Sequence, residues 1–225
     1  MAYTMTHILV AERVLEYITP PVDYSTYLIG AIAPDAVHAS PHYTPELKEK
    51  SHIFADGAVW GEITKESQFR EWLDSIKKFY INHQDKYDRD FFLGYIVHVL
   101  TDICSCRQIY APFYNSLSKD EMNEKMYQFV QESYSVNFYL FCEYSKDKNL
   151  MNILKEGRSY SIAGIYDDKV FEDRIRQLFD FEFKSRDIES IVHNNICTIE
   201  NTNKFIDDAP QMIKKMFFED FYIKS

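Results

Sequence analysis

Apolar residues recur at spacings of three and four along most of the chain, and this helical period limits the fold more than any other feature of the sequence. Only six glycines and seven prolines interrupt the 225 residues. The sequence contains no convincing set of β-strands. The pattern therefore predicts an all-α fold in which several helices form a single domain over residues 1–225.

Prolines, glycines and the last apolar position of each stretch predict where the helices end. The predicted helices span residues 3–18, 24–33, 47–60, 67–83, 88–110, 118–144, 150–156, 168–179, 187–206 and 210–222. Pro34 is expected to end the second helix, and residues 34–45 are expected to form a loop. Ser118 and Glu121 have the spacing of a capping box, which is typical of a helix start.

Composition and charge exclude several classes of protein. The net charge is −10, and an acidic surface repels phosphate backbones, so no stable nucleic-acid complex is expected. No run of 18 apolar residues predicts a transmembrane segment, and the first residues lack the pattern of a secretion signal. The four cysteines have neither zinc-ribbon nor disulfide spacing, which favours reduced thiols and a cytoplasmic protein. The sequence does not define an oligomeric state.

Two ionisable residues, His98 and Asp102, stand in the otherwise apolar stretch FLGYIVHVLTDIC. Their spacing places both on one face of a helix, and Gly94 lies one turn earlier, where it leaves room for a close approach. Burying an imidazole and a carboxylate costs free energy unless a partner compensates them. That partner is either a bound metal cation or, in a purely structural role, the other member of the pair.

Three more such residues occur in apolar settings, namely His7 in MTHILVAERVL, Asp35 in YLIGAIAPDAVH and His52 in EKSHIFADG. Imidazole and carboxylate are the ligands of zinc at hydrolytic sites. Three histidines and two aspartates exceed what one tetrahedral ion needs, and a carboxylate such as Asp102 can bridge two ions. We therefore expect two zinc ions, although manganese, iron and cobalt suit the same ligands. Spacing alone leaves the metal and the structural interpretations equally open.

The series TH, YLIGAIAPD, SH and FLGYIVHVLTD, in this order and rough spacing, resembles the zinc-dependent phospholipase C family, which shares its fold with the S1/P1-type nucleases. The resemblance covers about residues 3–110, the expected metal-binding half of the chain. It implies an all-helical fold with zinc ions at the base of a cleft. The metal ligands that it implies are His7, Asp35, His52, His98 and Asp102.

The same resemblance implies a role for each ligand. His98, His52 and Asp35 would hold one ion. Asp102 would bridge it to a second ion, which His7 would also hold. Asp35 would in addition be a candidate general base. The implied reaction is attack of a metal-activated hydroxide on a phosphoester substrate, for which a phospholipid, a nucleic acid and a small phosphoester all remain open.

The chain departs from the family pattern at the third metal site. Gln108 stands where trinuclear members have a histidine, and residues 118–144 contain no histidine. We therefore expect the third site to be lost, unless His193, with Glu189 and Cys197 one turn away on either side, rebuilds it.

Other polar groups of the sequence are candidates for the same cleft. His38 and His42 follow Asp35 and are expected either to line the cleft or to lie on the surface. Removal of Met1 would leave the amine of Ala2 five residues before His7, where it could be a further ligand.

Two alternatives to a phospholipase C-like hydrolase stay open. A phosphohydrolase of the HD type is also all-α with histidine and aspartate ligands, but the chain contains no adjacent His-Asp dipeptide. A metal-stabilised binding or regulatory protein, which kept two ions and lost catalysis, is favoured by the missing ligands of the third site.

Overall fold

The computed structural model of the protein describes residues 2–162, 168–184, 191 and 193–222. All regular structure within these residues is helical, so the all-α prediction is confirmed. The α-helices are α1 (Thr4–Val14), α2 (Tyr24–Gly30), α3 (Pro45–Ser51), α4 (Glu66–His83), α5 (Arg89–Ser105), α6 (Ala111–Ser116), α7 (Met122–Tyr144), α8 (Leu150–Glu156), α9 (Asp168–Gln177), α10 (Ile199–Ile213) and α11 (Glu219–Tyr222). A 3₁₀-helix spans Ala33–Ala39, and π-helical turns follow α5, α9 and α10 at Cys106–Tyr110, Leu178–Glu182 and Lys214–Phe218. None of the helices described has the length and apolarity that crossing a bilayer requires.

Helix α5 forms the centre of the core. Every residue from Asp90 to Ser105 is buried, and α1, α2, α4 and α10 all pack against this helix. A helix that is surrounded on all sides must be apolar on all sides. The stretch at residues 92–104 satisfies this except at Thr101, whose hydroxyl donates to the Val97 carbonyl, and at the ionisable residues His98 and Asp102. His98 and Asp102 are therefore held inside the molecule by the packing of their own helix.

Two facing glycines bring α2 unusually close to α5. A Cβ atom on Gly94 would lie 2.0 Å from the carbonyl oxygen of Tyr27, and a Cβ atom on Gly30 would lie 2.0 Å from that of Phe91. Both distances are far below van der Waals contact, so only glycine allows the two backbones to meet. The room that Gly94 leaves is thus taken by α2, whose end leads directly to Asp35.

Most predicted helices are confirmed to within four residues at each end, among them α1, α4, α7, α8 and α9. The helix predicted over 88–110 corresponds to α5 together with the π-helical turn that follows it. The expected capping pair also forms, since the Ser118 hydroxyl donates to Glu121 Oε2 at 2.5 Å. Helix α7 nevertheless begins only at Met122, after this pair.

The prediction of a loop at residues 34–45 is wrong in its first part. Helix α2 already ends at Gly30, and a 3₁₀-helix then spans Ala33–Ala39 with Pro34 in its first turn. Proline fits a first turn because its missing N–H would have no partner there. This short helix holds Asp35 on a defined backbone.

The prediction of one helix over residues 47–60 is wrong beyond Ser51, where α3 ends. His52 is the residue that follows the helix, and Ile53 then has a φ of 57°, which a helix does not allow. A long-range contact favours this ending, because the His52 carbonyl accepts a hydrogen bond of 2.7 Å from the Trp72 indole on α4.

The C-terminal helices also differ from the prediction. Residues 187–190 lie outside the described residues, and the helix predicted over 187–206 begins only at Ile199, where the Thr198 side chain accepts from the Asn201 N–H. Helix α10 then continues through Pro210, where a new helix was expected. Proline costs the helix one hydrogen bond, and burial of α10 against α1 and α5 offsets that cost.

Candidate metal centre

Four separate elements deliver the five predicted ligands to one place. His7 comes from the first turn of α1, Asp35 from the 3₁₀-helix, His52 from the end of α3, and both His98 and Asp102 from α5. The three imidazoles and Asp102 are buried, and the Asp35 side chain is 13% exposed. The packing of α1, α2, α3 and α5 therefore gathers residues that are far apart in the sequence.

The ring nitrogens and carboxylate oxygens face one another at distances suited to shared cations. His52 Nε2 lies 3.4 Å from Asp35 Oδ1 and 3.3 Å from Asp102 Oδ2. His98 Nε2 lies 3.4 Å from His52 Nε2, 3.9 Å from Asp102 Oδ2 and 4.0 Å from Asp35 Oδ2. The Nε2 atoms of His52 and His98 face each other, and two nitrogens with lone pairs cannot form a hydrogen bond. They are instead suitable ligands for an ion that lies between them and the two carboxylates.

Backbone carbonyl groups fix which nitrogen of each imidazole is available. His98 Nδ1 is 2.7 Å from the Ala31 carbonyl oxygen, and His52 Nδ1 is 3.0 Å from that of Lys48. A nitrogen facing a carbonyl oxygen must carry a proton, so in the neutral rings the Nε2 atoms keep their lone pairs. This arrangement is typical of metal-binding histidines, which donate from the nitrogen that does not bind the metal.

His7 supplies the clearest observation in favour of a metal. Its ring stacks on His98 with centroids 3.6 Å apart and planes 6° apart. Both of its ring nitrogens are buried and have no hydrogen-bond partner among the described residues, although Nε2 lies 3.5 Å from Asp102 Oδ1. A buried imidazole without a partner costs free energy, and a cation next to Asp102 would remove that cost.

The two oxygens of Asp102 face different groups. Oδ2 is directed towards His52 and His98, whereas Oδ1 faces His7 and accepts a hydrogen bond of 3.1 Å from the Ala2 N–H. A carboxylate with a separate neighbourhood for each oxygen is suited to bridging two ions. The Ala2 nitrogen thus lies beside the same carboxylate as His7.

Neighbouring side chains keep both carboxylates ionised. Burial raises the pKa of Asp35, but the Lys48 ammonium and hydrogen bonding by His38 and His52 outweigh burial and hold this pKa well below its ordinary value. Burial also raises the pKa of Asp102, and interactions with His7 and the other two imidazoles lower it below its ordinary value. Ionised carboxylates are the form that binds a cation.

Burial has the opposite effect on the imidazoles. It lowers the pKa of His7 and lowers that of His98 well below its ordinary value, so both rings are neutral and able to bind a metal. Burial and Lys48 also lower the pKa of His52, but its contacts with Asp102 and Asp35 outweigh them and raise this pKa. In the metal-free chain His52 is therefore the imidazole that holds a proton most strongly.

Two overlapping groups of residues could each hold an ion. One consists of His52, His98 and Asp102 and the other of His7, Asp35 and His98, and in each group the ligand atoms lie within 4.8 Å of one another. No further group of this kind occurs in the part of the chain that the structure describes. Because both groups contain His98, the residues present fit a bound metal without fixing the number of ions.

A cavity of about 380 Å³ opens over the cluster. Asp35 and Ala2 line it, and Asp35 is the more exposed of the two carboxylates, since the Asp102 side chain is 2% exposed. Part of its wall is aromatic and is formed by Trp60, Tyr110, Phe129 and Tyr134, while Arg174 and Glu182 also line the cavity. A larger cavity of about 510 Å³ beside α8 and α9 contains none of the five residues, so we assign the site to the smaller one.

The remaining histidines divide between the cleft and the surface. His38 lines the cavity, with Nε2 3.5 Å from Asp35 Oδ1, whereas His42 is exposed. His193 is exposed too, and Glu189, with which it would rebuild a third site, lies outside the described residues. Gln108 is exposed and faces the sulfur of Met212 on α10.

Sequence reasoning missed Lys48, whose ammonium lies 3.1 Å from Asp35 Oδ1 although the residue is only 6% exposed. It precedes His52 by four residues on α3, and this spacing could have indicated that the two side chains share a face.

Comparison with known proteins identifies the family. A family model described as zinc dependent phospholipase C matches residues 6–222, which is nearly the whole chain and twice the length on which the sequence motifs rest. No curated protein and no solved structure matches. The family match, the helical fold and the His/Asp clusters agree with one another. The chain belongs to the zinc-dependent phospholipase C family.

Proposed function

We propose that the protein is a phosphodiesterase that uses two zinc ions to hydrolyse a phosphoester with an activated water molecule. One observation carries this proposal: three buried imidazoles and two ionised carboxylates converge next to a cavity that Asp35 lines, and the ring nitrogens of His7 have no hydrogen-bond partner among the described residues. Bound zinc would lower the pKa of a water molecule towards neutrality and stabilise charge on a phosphoryl oxygen. Manganese, iron and cobalt remain alternatives for the metal.

We assign the ligands as the family resemblance implies. His52, His98 and Asp35 would hold the first ion. Asp102 would be a ligand of both ions, and His7 would hold the second. The distances around Asp102 support this division, because Oδ2 faces His52 while Oδ1 faces His7. The Ala2 N–H donates to Asp102 Oδ1 on the same side as His7.

Asp35 is the residue of the cluster best placed to accept a proton during the reaction. It lines the cavity, and its Oδ1 and Oδ2 atoms are both within reach of the space between the imidazoles. Asp102 is too deeply buried to meet a substrate. Asp35 therefore accepts the proton of the attacking water, while His52 and His98, held by backbone carbonyls, keep the centre rigid.

The substrate that we propose is a phospholipid. The aromatic wall formed by Trp60, Tyr110, Phe129 and Tyr134 suits the apolar part of a lipid next to its phosphate. The net charge of −10 disfavours a stable complex with nucleic acid. The family to which the chain belongs supports the same substrate class. A cytoplasmic location also remains a prediction, which the four free cysteines support.

A metal-stabilised protein without catalysis is the second candidate. The observation in its favour is that only two groups of metal-ligating residues occur within the described residues, and that Lys48 already contacts Asp35.

Turnover by reconstituted protein tests the proposal and separates these candidates. Protein freed of metal by a chelator is reloaded with zinc and assayed with bis-p-nitrophenyl phosphate and with phosphatidylcholine in mixed micelles. We expect hydrolysis by the wild type and loss of hydrolysis in Asp35→Asn. His83→Gln is the matched control, because His83 contacts the Phe79 carbonyl at the end of α4 and lies outside the centre. Zinc-loaded wild type that hydrolyses neither substrate would favour the non-catalytic candidate.

A further inference from the structure

Lys48 places a buried ammonium group at the edge of the metal centre. Its Nζ atom lies 3.1 Å from Asp35 Oδ1, 2.7 Å from His38 Nε2 and 4.0 Å from the centre of the Trp60 ring. The residue is 6% exposed, and it lines the cavity over the five His and Asp residues. The group is thus fixed in position before any substrate arrives.

Structural needs do not account for an ammonium at this place. A buried lysine costs desolvation free energy, and Asp35 already has His52 and, in the loaded protein, a metal ion to compensate its charge. An ammonium group has three N–H donors, and only two acceptors within the described residues, Asp35 and His38, lie within hydrogen-bond distance. The third donor has no oxygen or nitrogen acceptor among the described residues, and its surroundings are the Trp60 ring and the cavity, where a ligand can accept from it.

The formal charges of the centre indicate what that ligand is. Two divalent ions and two aspartates sum to +2, and Lys48 raises the sum to +3 at the side from which a substrate must approach. A compact ammonium is a common binding group for phosphate oxygens. The oxygens of a phosphoryl group that reaches Asp35 would lie within the range of Lys48.

The backbone of Lys48 has a separate role, because its carbonyl oxygen accepts the Nδ1 proton of His52. One residue therefore orients a metal ligand through its main chain and reaches the cavity through its side chain. A side-chain substitution leaves the first role in place, so the two can be tested apart.

We propose that Lys48 is a phosphate-binding residue, whose ammonium binds a non-bridging oxygen of the substrate beside the two metal ions. This inference rests on the proposed function, because it requires a phosphoester substrate. It assigns part of the binding of the phosphoryl group to one side chain. The protein thus supplies a positive charge beside the phosphate from its own side chain.

Binding of inorganic phosphate to the zinc-loaded protein, measured by calorimetry, tests this proposal without requiring turnover. We expect Lys48→Met to weaken phosphate binding by about 10- to 100-fold, the loss typical of one charged hydrogen bond. Lys48→Arg should stay within about tenfold of the wild type because it keeps the charge. Lys50→Met is the matched control, since Lys50 is exposed on the same helix. Zinc content and melting temperature are measured for each variant.

The outcomes distinguish this inference from the proposed function. Lys48→Met that keeps its zinc and binds phosphate as the wild type does would overturn the inference, even if the enzyme turns over. Weakened binding in Lys48→Met with no turnover in the wild type would support the inference and count against the proposed function. If Lys48→Met does not fold or loses zinc, Lys48→Gln, a polar but uncharged replacement, is measured in its place against the same two results.

Discussion

Replacing Gly94 by alanine tests the packing that builds the centre. The added Cβ would lie 2.0 Å from the Tyr27 carbonyl oxygen and 2.8 Å from the Ala31 nitrogen. Both atoms belong to the backbone of α2 or its end, so no side chain can rotate away. Helices α2 and α5 would have to separate by more than 1 Å to reach ordinary contact distance.

The expected loss of stability follows from two opposing effects. Overpacking of this severity costs about 3 kcal/mol or more, while alanine gains about 1 kcal/mol over glycine in a helix. The net destabilisation is about 2 kcal/mol, which lowers the melting temperature of a chain of this size by about 4–8 °C. Separation would also lengthen the contact of 2.7 Å between His98 Nδ1 and the Ala31 carbonyl, and zinc should then bind more weakly.

Differential scanning calorimetry and zinc titration of Gly94→Ala measure both effects. Gly30→Ala is the reciprocal variant, because its Cβ would meet the Phe91 carbonyl oxygen at the same distance of 2.0 Å. The two should lower the melting temperature by similar amounts. A Gly94→Ala protein that melts at or above the wild-type temperature and binds zinc normally would refute the argument that this contact positions the centre.

Two further predictions concern the metal directly. Removing zinc with a chelator should lower the melting temperature by about 5–10 °C, because an ion present at 100 times its Kd adds about 2.7 kcal/mol to the free energy of unfolding. The assay is a thermal melt, made after elemental analysis has verified the loss of metal. An unchanged melting temperature would contradict the metal site. Zinc affinity should fall as the pH is lowered, because the proton of His52 must leave before the ion binds. The fall should begin above the ordinary histidine pKa of about 6.5, since the pKa of His52 is raised in the metal-free chain. Zinc titrations between pH 5 and 8 measure this dependence, and an affinity that is constant over that range would show that His52 is not a ligand.

The sequence predicted the parts of the fold that depend on local pattern. The period of apolar residues located α4, α5 and α8. His98 and Asp102, isolated in the apolar sequence of α5, indicated that a buried partner must compensate the cost of their burial. The candidate ligands from other elements also stood in apolar settings, but only the family pattern indicated that they act together.

The parts that the sequence could not predict depend on contacts between distant residues. The end of α3 at Ser51 depends on Ile53 in a left-handed conformation and on the indole of Trp72, twenty residues further along the chain. Lys48 had no apolar setting that would single it out, because its burial arises only when α3 packs against the 3₁₀-helix. The close approach of the backbones at Gly30 and Gly94 likewise depends on the packing of α2 against α5, which the sequence does not show.

The number of zinc ions bound per chain tests the central claim most directly. Elemental analysis is made on wild type, Asp102→Asn and His52→Ala, at equal protein concentration and in buffers of matched zinc content. We predict two ions in the wild type and a loss of both from Asp102→Asn, the one near His7 first, because a neutral amide cannot bridge them. His52→Ala should lose mainly the first ion. Equal losses in the two variants would reduce the centre to a single ion, and full metal content in Asp102→Asn, or no zinc in the wild type, would contradict the account.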